Sequence, residues 1–189
     1  MNFFKNIFGH KQSSNLKVTG YFTDIRDGKT YQTIKIGTQT WMVENLAYKA
    51  SSGCYAYDNN ATNVTKYGYL YDWETAKKVC PSGWHLPSDA EWSTLTNYVG
   101  RDEGEKLKST SGWDSSDNGT DAYGFTALPG GFRLLNDTFL AIGHLGTWWS
   151  STDGGAAGAY YRLVGYNYCD VVRSYGGMDD DYSVRCIKD

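Results

Sequence analysis

The chain has 189 residues, of which 40% are hydrophobic and 16% aromatic, enough to bury one full core without metals or crosslinks. Twenty-two glycines against three prolines, with 16 tyrosines and seven tryptophans, favour many short strands and turns over a helical bundle. The net charge of −3 and the lack of a basic stripe argue against nucleic acid as a partner, and no apolar run approaches the roughly 20 residues of a membrane span.

The first 16 residues are predicted to form an N-terminal arm ahead of a single domain at residues 17–189. Four apolar side chains of the arm are spaced to line one face of a short helix, namely Phe3, Phe4, Ile7 and Phe8. Such a helix would dock on a carrier protein or a membrane surface, and the alternative is a frayed terminus. Because Lys5 and Asn6 interrupt the apolar residues, no signal peptide is expected. The location stays open between the cytoplasm and delivery to the surface by a non-classical route.

Near the start of the domain the pattern predicts a β-hairpin. Polar and apolar residues alternate over 30–36, a glycine follows, and a second strand-like stretch covers 40–43. Residues 51–67 are rich in Ser, Asn and Thr and are predicted to form a loop. Residues 113–121 are also turn-rich, and strands and loops are expected from Phe125 onward.

Two helices are predicted in the middle of the chain. The first covers 71–79, with an acidic residue near its start and a proline just beyond its end. The second covers 88–99, where Ser88 and Glu91 have the spacing of a capping box. The apolar residues on one face of the second helix are Trp92, Leu95 and Val99.

Residues 153–181 have the most unusual composition of the chain. They include no Lys, Glu, Gln or Trp, where average usage predicts roughly three or four. They combine Tyr with Gly, Ser and Asn, the mixture that antibody-like paratopes use, since Tyr gives rigid amphipathic contact at low entropic cost. The segment is either a recognition surface held by a stiff frame or a glycine-rich β-region with ordinary exposed tyrosines.

No catalytic motif is visible. The three histidines His10, His85 and His144 lack metal-ligand spacing such as HExxH, and no GxSxG nucleophile motif occurs. His85 is predicted to be structural. The sequence therefore predicts a protein that is not an enzyme.

Cofactors are not expected, with calcium as the one alternative. The oxygens that would bind it belong to Asp114, Asp117, Asn118 and Asp121. The EF-hand pattern is absent, however, and this stretch is also an ordinary turn sequence. The four cysteines form no CxxC pair, and without an export signal they are expected to be reduced.

Seven segments resemble, in order over most of the chain, the Fibrobacter succinogenes major paralogous domain family. They are IGTQTWMVENLAY at 36–48, YGYLYDWETA at 67–76, CPSGWHLPSDAEW at 80–92, GTDAYGFTALPGGFR at 119–133, GTWWSST at 146–152, AYYRL at 159–163 and YSVRCIKD at 182–189.

The resemblance implies an α+β fold of the C-type-lectin-like and formylglycine-generating-enzyme-like kind, with two helices and a mostly antiparallel, loop-rich β region. It also implies a set of framework aromatic residues, Trp41, Trp73, Trp84, Trp92, Phe125 and Trp148. Cys80 and Cys186 belong to recurring motifs and are expected to be neighbours, without a bond being claimed. Cys54 is expected to be a free thiol. An enzyme of the formylglycine-generating type, which would use a cysteine pair such as Cys169 and Cys186, is the third and least favoured function.

Some domains of this kind are diversified by retroelements, in which error-prone copying at adenines randomises chosen codons. Such codons cannot become Lys, Glu, Gln, Trp or Met, the set that is depleted in residues 153–181 except for Met178. Relatives keep RxLxY and VxR as framework, which appear here as Arg162, Val164 and Tyr166, and as Val171 and Arg173. The resemblance thus makes residues 153–181 a candidate variable region.

The predicted function is recognition by a hypervariable C-terminal surface of a bacterial protein, with an unknown protein or glycan as ligand. The candidate ligand-binding residues are Asp153, Leu163, Gly165, Asn167, Tyr168, Cys169, Asp170, Val172, Ser174, Tyr175, Gly176, Gly177, Asp179 and Asp180. The alternative is a surface or carbohydrate-binding protein of the same family that is not diversified.

Overall fold

The computed structural model describes residues 19–155 and 158–189, so the predicted N-terminal arm lies outside the described residues. The strands are β1 (Gly20–Thr23), β2 (Thr30–Ile36), β3 (Gln39–Met42), β4 (Cys54–Tyr55), β5 (Leu70–Tyr71), β6 (Trp84–His85), β7 (Gly130–Arg133), β8 (Phe139–Ile142), β9 (Leu145–Asp153), β10 (Ala159–Gly165), β11 (Val172–Gly176), β12 (Tyr182–Ser183) and β13 (Ile187–Lys188). The α-helices are α1 (Ala61–Tyr67), α2 (Trp73–Val79), α3 (Asp89–Val99) and α4 (Glu103–Leu107).

The strands form two sheets. The first has the order β1-β2-β3-β13-β6, and its β2–β3 pair is the predicted hairpin. The second has the order β11-β10-β9-β12-β5-β4, with β7 beside β9 and β8 beside β7. Most pairs are antiparallel, but β12 and β7 both run parallel to β9. The C-terminal residues connect the sheets, since β12 belongs to the second and β13 to the first.

The expectation of an α+β fold of the C-type-lectin-like or formylglycine-generating-enzyme-like kind is wrong. The structure is mostly β, with two curled half-barrel sheets and only 21% helix. Three of the four helices have seven residues or fewer, so the apolar area is buried mainly by strands and ordered loops. The expected balance of helix and sheet came from the family resemblance, whereas the composition alone favoured strands and turns.

Local signals located two helices well and missed two others. The predicted capping box at Ser88 and Glu91 is present at the start of α3, and Asp72 caps α2. Residues 51–67, predicted to form a loop, instead contain β4 and α1. The sequence of α1, ATNVTKY, has weak intrinsic helix propensity, and α4 includes a glycine, so tertiary contacts decide both.

Two cores flank the central strand β9. Its adjacent residues Trp148 and Trp149 point to opposite faces and belong to different buried clusters. All six aromatic residues expected to be framework are buried. Because large aromatic surfaces are buried on both faces, this loop-rich chain can hold a fixed shape.

The Cys80 and Cys186 thiols are joined in a disulfide across 106 residues, while Cys54 and Cys169 are free. The expectation of reduced thiols is therefore wrong for this pair, and the expectation of a free Cys54 is confirmed. Among the described residues, none of the helices has the length and apolar character that crossing a membrane requires.

Candidate recognition surface

The candidate residues follow the β10–β11 hairpin, which forms one edge of the second sheet. Nine of the 14 are exposed: Asp153, Asn167, Tyr168, Cys169, Asp170, Val172, Tyr175, Gly177 and Asp179. Four are half-buried: Leu163, Ser174, Gly176 and Asp180. Gly165 is buried, and a Cβ there would lie 2.9 Å from the ring of Tyr168, so it packs beneath the surface.

The hairpin is fixed to α3 through Asp89. The guanidinium of Arg162, which is buried, reaches the Asp89 carboxylate at 2.8 Å from Nη2. Arg173 on the paired position of β11 contacts the same carboxylate at 2.9 Å from Nε. The Arg173 guanidinium also lies 3.9 Å from the centroid of the Tyr160 ring. Residues 162 and 173, expected to be framework, therefore anchor the hairpin on one side.

The turn that joins β10 and β11 is held at its first residue by backbone atoms. The amide of Tyr166 donates to the carbonyl of His144 at 2.8 Å. The carbonyl of Tyr166 accepts a hydrogen bond from Nζ of Lys108 at 2.7 Å. Both hydrogen bonds use backbone atoms of residue 166, while its ring packs edge to face on His144 at 5.4 Å between centroids.

The far side of the same turn is also attached through its backbone. The carbonyl of Cys169 accepts from the amide of Glu105 at 3.1 Å, and the amide of Val171 donates to Oε1 of Glu103 at 3.4 Å. The absence of a side chain at Gly104 permits this approach, because a Cβ there would lie 2.7 Å from the carbonyl oxygen of Asp170. The backbone of the turn therefore supplies hydrogen bonds to α4 that do not involve the side chains of residues 169 and 171.

A cavity of about 300 Å³, here called the turn cavity, lies between this turn and α4. Its lining consists of Glu105, Lys108, Asp117, Asn118, Tyr166, Asn167, Tyr168 and Cys169. Lys108 is only 4% exposed, and burial lowers the pKa of its ammonium group. Its Nζ donates to the carbonyls of Tyr166 and Asp117 at 2.7 and 3.1 Å, which leaves one N–H. The cavity combines charged groups at Glu105, Lys108 and Asp117 with walls from the candidate variable turn.

The candidate residues do not converge on one pocket. Asn167 to Asp170 precede β11, whereas Gly177 to Asp180 follow it, so the two groups lie at opposite ends of that strand. Val172 and Tyr175 expose their side chains between the two groups. The arrangement is an elongated strip along β11, here called the strip.

At its far end the strip borders a buried ion pair. Nη1 of Arg133 lies 2.5 Å from Oδ2 of Asp181, and the backbones of the two residues exchange hydrogen bonds. Burial raises the pKa of Asp181 to about 6, against the attraction of Arg133. The pair fixes the end of the loop that carries Asp179 and Asp180.

The histidine expected to be structural has two carboxylate partners. His85 contacts Oδ1 of Asp189 at 2.6 Å and Oε1 of Glu91 at 2.8 Å. Burial lowers the pKa of His85, but these two hydrogen bonds outweigh it and leave the pKa raised. Cys186 is bonded to Cys80, so it cannot form the thiol pair with Cys169 that a formylglycine-type site would need.

The four suggested calcium ligands do not share a site. Both carboxylate oxygens of Asp121 accept hydrogen bonds from Thr126, and Oδ1 of Asn118 accepts from the amide of Trp113. Asp114 lies 3.4 Å from His144. Within the part of the chain that the structure describes, no three His, Cys, Asp or Glu residues are grouped so that they could hold a metal ion.

No pattern in the sequence indicated that Lys108, Glu105 and Gly104 belong to this surface. They lie about 60 residues before the turn that they support. Gly104 and Glu105 belong to a helix of five residues, too short for a periodic pattern, and Lys108 follows its last residue. Adjacent Gly and Glu residues, or adjacent Lys and Leu residues, are common in proteins and indicate no function by themselves. The role of this short helix becomes visible only when the structure shows the β10–β11 turn packed against it.

Comparison with known proteins adds one match. The model of the Fibrobacter succinogenes major domain matches residues 34–188, which include both sheets except β1 and the start of β2. No curated protein and no solved structure matches the chain.

Proposed function

The chain belongs to the Fibrobacter succinogenes major domain family, and we propose that it is a ligand-binding protein whose β10–β11 hairpin displays a diversified surface. It acts by recognition, without chemistry on the ligand. A protein or a glycan is the expected partner, and the N-terminal arm would tether the domain to a carrier protein or a membrane surface.

The observation that carries this proposal is the attachment of the connecting turn by backbone atoms. The partners of the turn are Glu103, Glu105, Lys108 and His144, all outside residues 153–181. None of the hydrogen bonds found among described residues uses a side chain of Asn167, Tyr168, Cys169 or Asp170. A surface of this kind tolerates side-chain replacement because the fold does not depend on those side chains.

The side chains of the strip suit recognition. Tyr168 and Tyr175 are exposed aromatic groups with hydroxyl handles, and Val172 adds an exposed apolar contact. Asp153, Asp170 and Asp179 are exposed as well, which favours ligands with cationic or hydrogen-bond-donating groups. An exposed Val172 and an exposed free Cys169 are more easily explained by random substitution than by selection for packing.

Diversification by a retroelement is the finer part of the proposal. It is supported by the lack of Lys, Glu, Gln and Trp in residues 153–181. Sequencing of the genomic locus 3′ of the gene tests it. A reverse-transcriptase gene with an adenine-rich near-copy of codons 147–189 is the expected result, and its absence would leave a fixed recognition surface.

Recognition by the strip is tested separately with a library. Codons 167, 168, 169 and 170 are randomised together, and folded clones are sorted by display on cells and by protease resistance. A control library randomises residues 162 and 164, which are buried on β10. The first library should retain mostly folded clones and yield binders to different immobilised proteins or glycans, while the control should lose folded clones. Equal loss in both libraries would refute a tolerant display surface.

A further inference from the structure

A second cavity lies away from the strip, and we propose that it binds a small anion carried on a flat apolar ring. This basic cavity has a volume of about 360 Å³ and is lined by Lys35, Ile36, Gly37, Tyr98, Lys106, Ala122 and Tyr123. It is formed by the β2–β3 turn, the end of α3, α4 and the loop near residue 122. None of these residues lies in 153–181, so the site is independent of the proposed display function.

The charge of the lining is the first argument. The basic cavity includes two lysines and no carboxylate, in a protein whose net charge is −3. Neither Lys35 nor Lys106 forms a salt bridge within residues 19–155 and 158–189. By contrast, the larger cavity beside α2 has Asp72 and Glu74 in its lining together with Arg26 and Lys78. An anion entering the basic cavity meets two cationic groups that no carboxylate neutralises.

Lys106 is held in the lining of the cavity by hydrogen bonds to backbone carbonyls. Its Nζ donates to the carbonyls of Val99, at 3.4 Å, and Arg101, so that the ammonium group caps the end of α3. These two bonds leave one N–H of the ammonium for a ligand oxygen. Lys35 is exposed on β2, opposite Thr40 of β3, and reaches the cavity from the sheet side.

Two tyrosine rings supply the apolar part of the site. The rings of Tyr98 and Tyr123 meet edge to face, with centroids 6.1 Å apart and planes at 71°. Tyr98 is 58% exposed, which is unusual for a large aromatic side chain that packs against another ring. Its ring rests on Gly37, where a Cβ would lie 2.9 Å from Cδ2. The two rings thus form a fixed aromatic corner against which a flat group can stack.

The lysines and the aromatic corner select together for a ligand that has both a ring and a negative charge. A bare inorganic anion would use the two ammonium groups but leave the aromatic corner in water. A neutral ring would use the corner but leave the ammonium groups without a partner. The site therefore favours an aromatic phosphate or carboxylate over either part alone.

Phenyl phosphate is the probe that tests this site on the full chain. Binding is followed by NMR titration, with inorganic phosphate and benzyl alcohol as comparators. Phenyl phosphate should bind saturably, shift the ring signals of Tyr98 and Tyr123, and bind more tightly than either comparator. Lack of saturable binding, or equal affinity for inorganic phosphate, would overturn the proposal.

Two variants in the cavity and one control variant outside it locate the binding. Lys35→Gln removes a charge from an exposed strand residue and should weaken phenyl phosphate binding roughly fivefold. Lys49→Gln removes an exposed charge outside the cavity and should leave binding unchanged. Tyr98→Leu should weaken phenyl phosphate while leaving inorganic phosphate unaffected. An equal loss in the Lys35 and Lys49 variants would show that only the overall charge matters, and would refute the site.

Discussion

The side-chain oxygen of Asn45 accepts two hydrogen bonds from Arg185, which lies 140 residues further along the chain. The distances are 3.0 Å from Nε and 2.7 Å from Nη2, and both side chains are buried. The same oxygen accepts from the indole Nε1 of Trp148 at 2.8 Å. Nη1 of Arg185 donates to the carbonyls of Met42, Val43 and Phe125. Among the described residues the guanidinium therefore donates only to neutral oxygens, and burial lowers its pKa to about 9 against the attraction of Glu44 and Asp121.

Asn45→Ala should be strongly destabilising. The substitution leaves the Arg185 charge and the Trp148 indole short of an acceptor inside the core, which costs about 3–5 kcal/mol in the free energy of unfolding. Urea denaturation measures the loss, and Asn97→Ala on the exposed side of α3 serves as the matched control with little change. A loss below about 1 kcal/mol would mean that water or a rearranged carbonyl replaces the amide.

The disulfide between Cys80 and Cys186 should contribute strongly to stability. Replacement of both cysteines by alanine is expected to lower the free energy of unfolding by about 2–5 kcal/mol, because a crosslink across 106 residues restricts the unfolded chain. Replacement of the free Cys54 and Cys169 by serine is the control and should change stability much less. A melting temperature that does not respond to reductant would contradict the bond.

Asp181 should make stability fall as the pH rises through weakly acidic values. Its pKa is raised from 3.8 to about 6 in the folded protein, so the protonated carboxyl is favoured by folding. The stabilisation of the folded protein by protonated Asp181 is fully present below pH 3.8. It is lost as the pH rises through about 6, which lowers the free energy of unfolding by up to about 3 kcal/mol. The wild type and Asp181→Asn share all other titratable groups. The quantity to measure is therefore the difference between their free energies of unfolding from pH 3.5 to 7. A difference that stays constant over this range would show that Arg133 keeps the carboxylate charged throughout.

Gly104 should be required for the position of the display turn. A Cβ at residue 104 would lie 2.7 Å from the Asp170 carbonyl oxygen and 2.8 Å from that of Cys169, so Gly104→Ala must displace the turn or α4. The expected cost is about 1–3 kcal/mol. Gly130→Ala is the matched control, since a Cβ there meets its nearest atom at 3.5 Å. The rate of amide hydrogen exchange at residues 167–170 should rise in Gly104→Ala and stay unchanged in Gly130→Ala. Faster exchange in Gly130→Ala but not in Gly104→Ala would show that the turn does not pack on Gly104.

Features that depend on a few adjacent residues were accessible from the sequence. The capping box of α3 and the β2–β3 hairpin follow from spacing and alternation within short windows, and both are present. The buried positions of Trp92, Leu95 and Val99 follow from helical periodicity. Of the 14 candidate ligand-binding residues, nine are exposed, whereas fewer than half of the described residues in 153–181 are exposed.

Only the tertiary structure decided the rest. The mostly β architecture depends on which strands pair, and β12 and β13 place the last residues of the chain in both sheets. The Asn45–Arg185 contact, the disulfide, and the support of the turn by Lys108 all join residues that are more than 50 positions apart. Local propensity is set by neighbours within a few residues, so it carries no record of these contacts. They form because burying a charge, a thiol or a carbonyl requires a complementary partner, and only the folded chain brings that partner within reach.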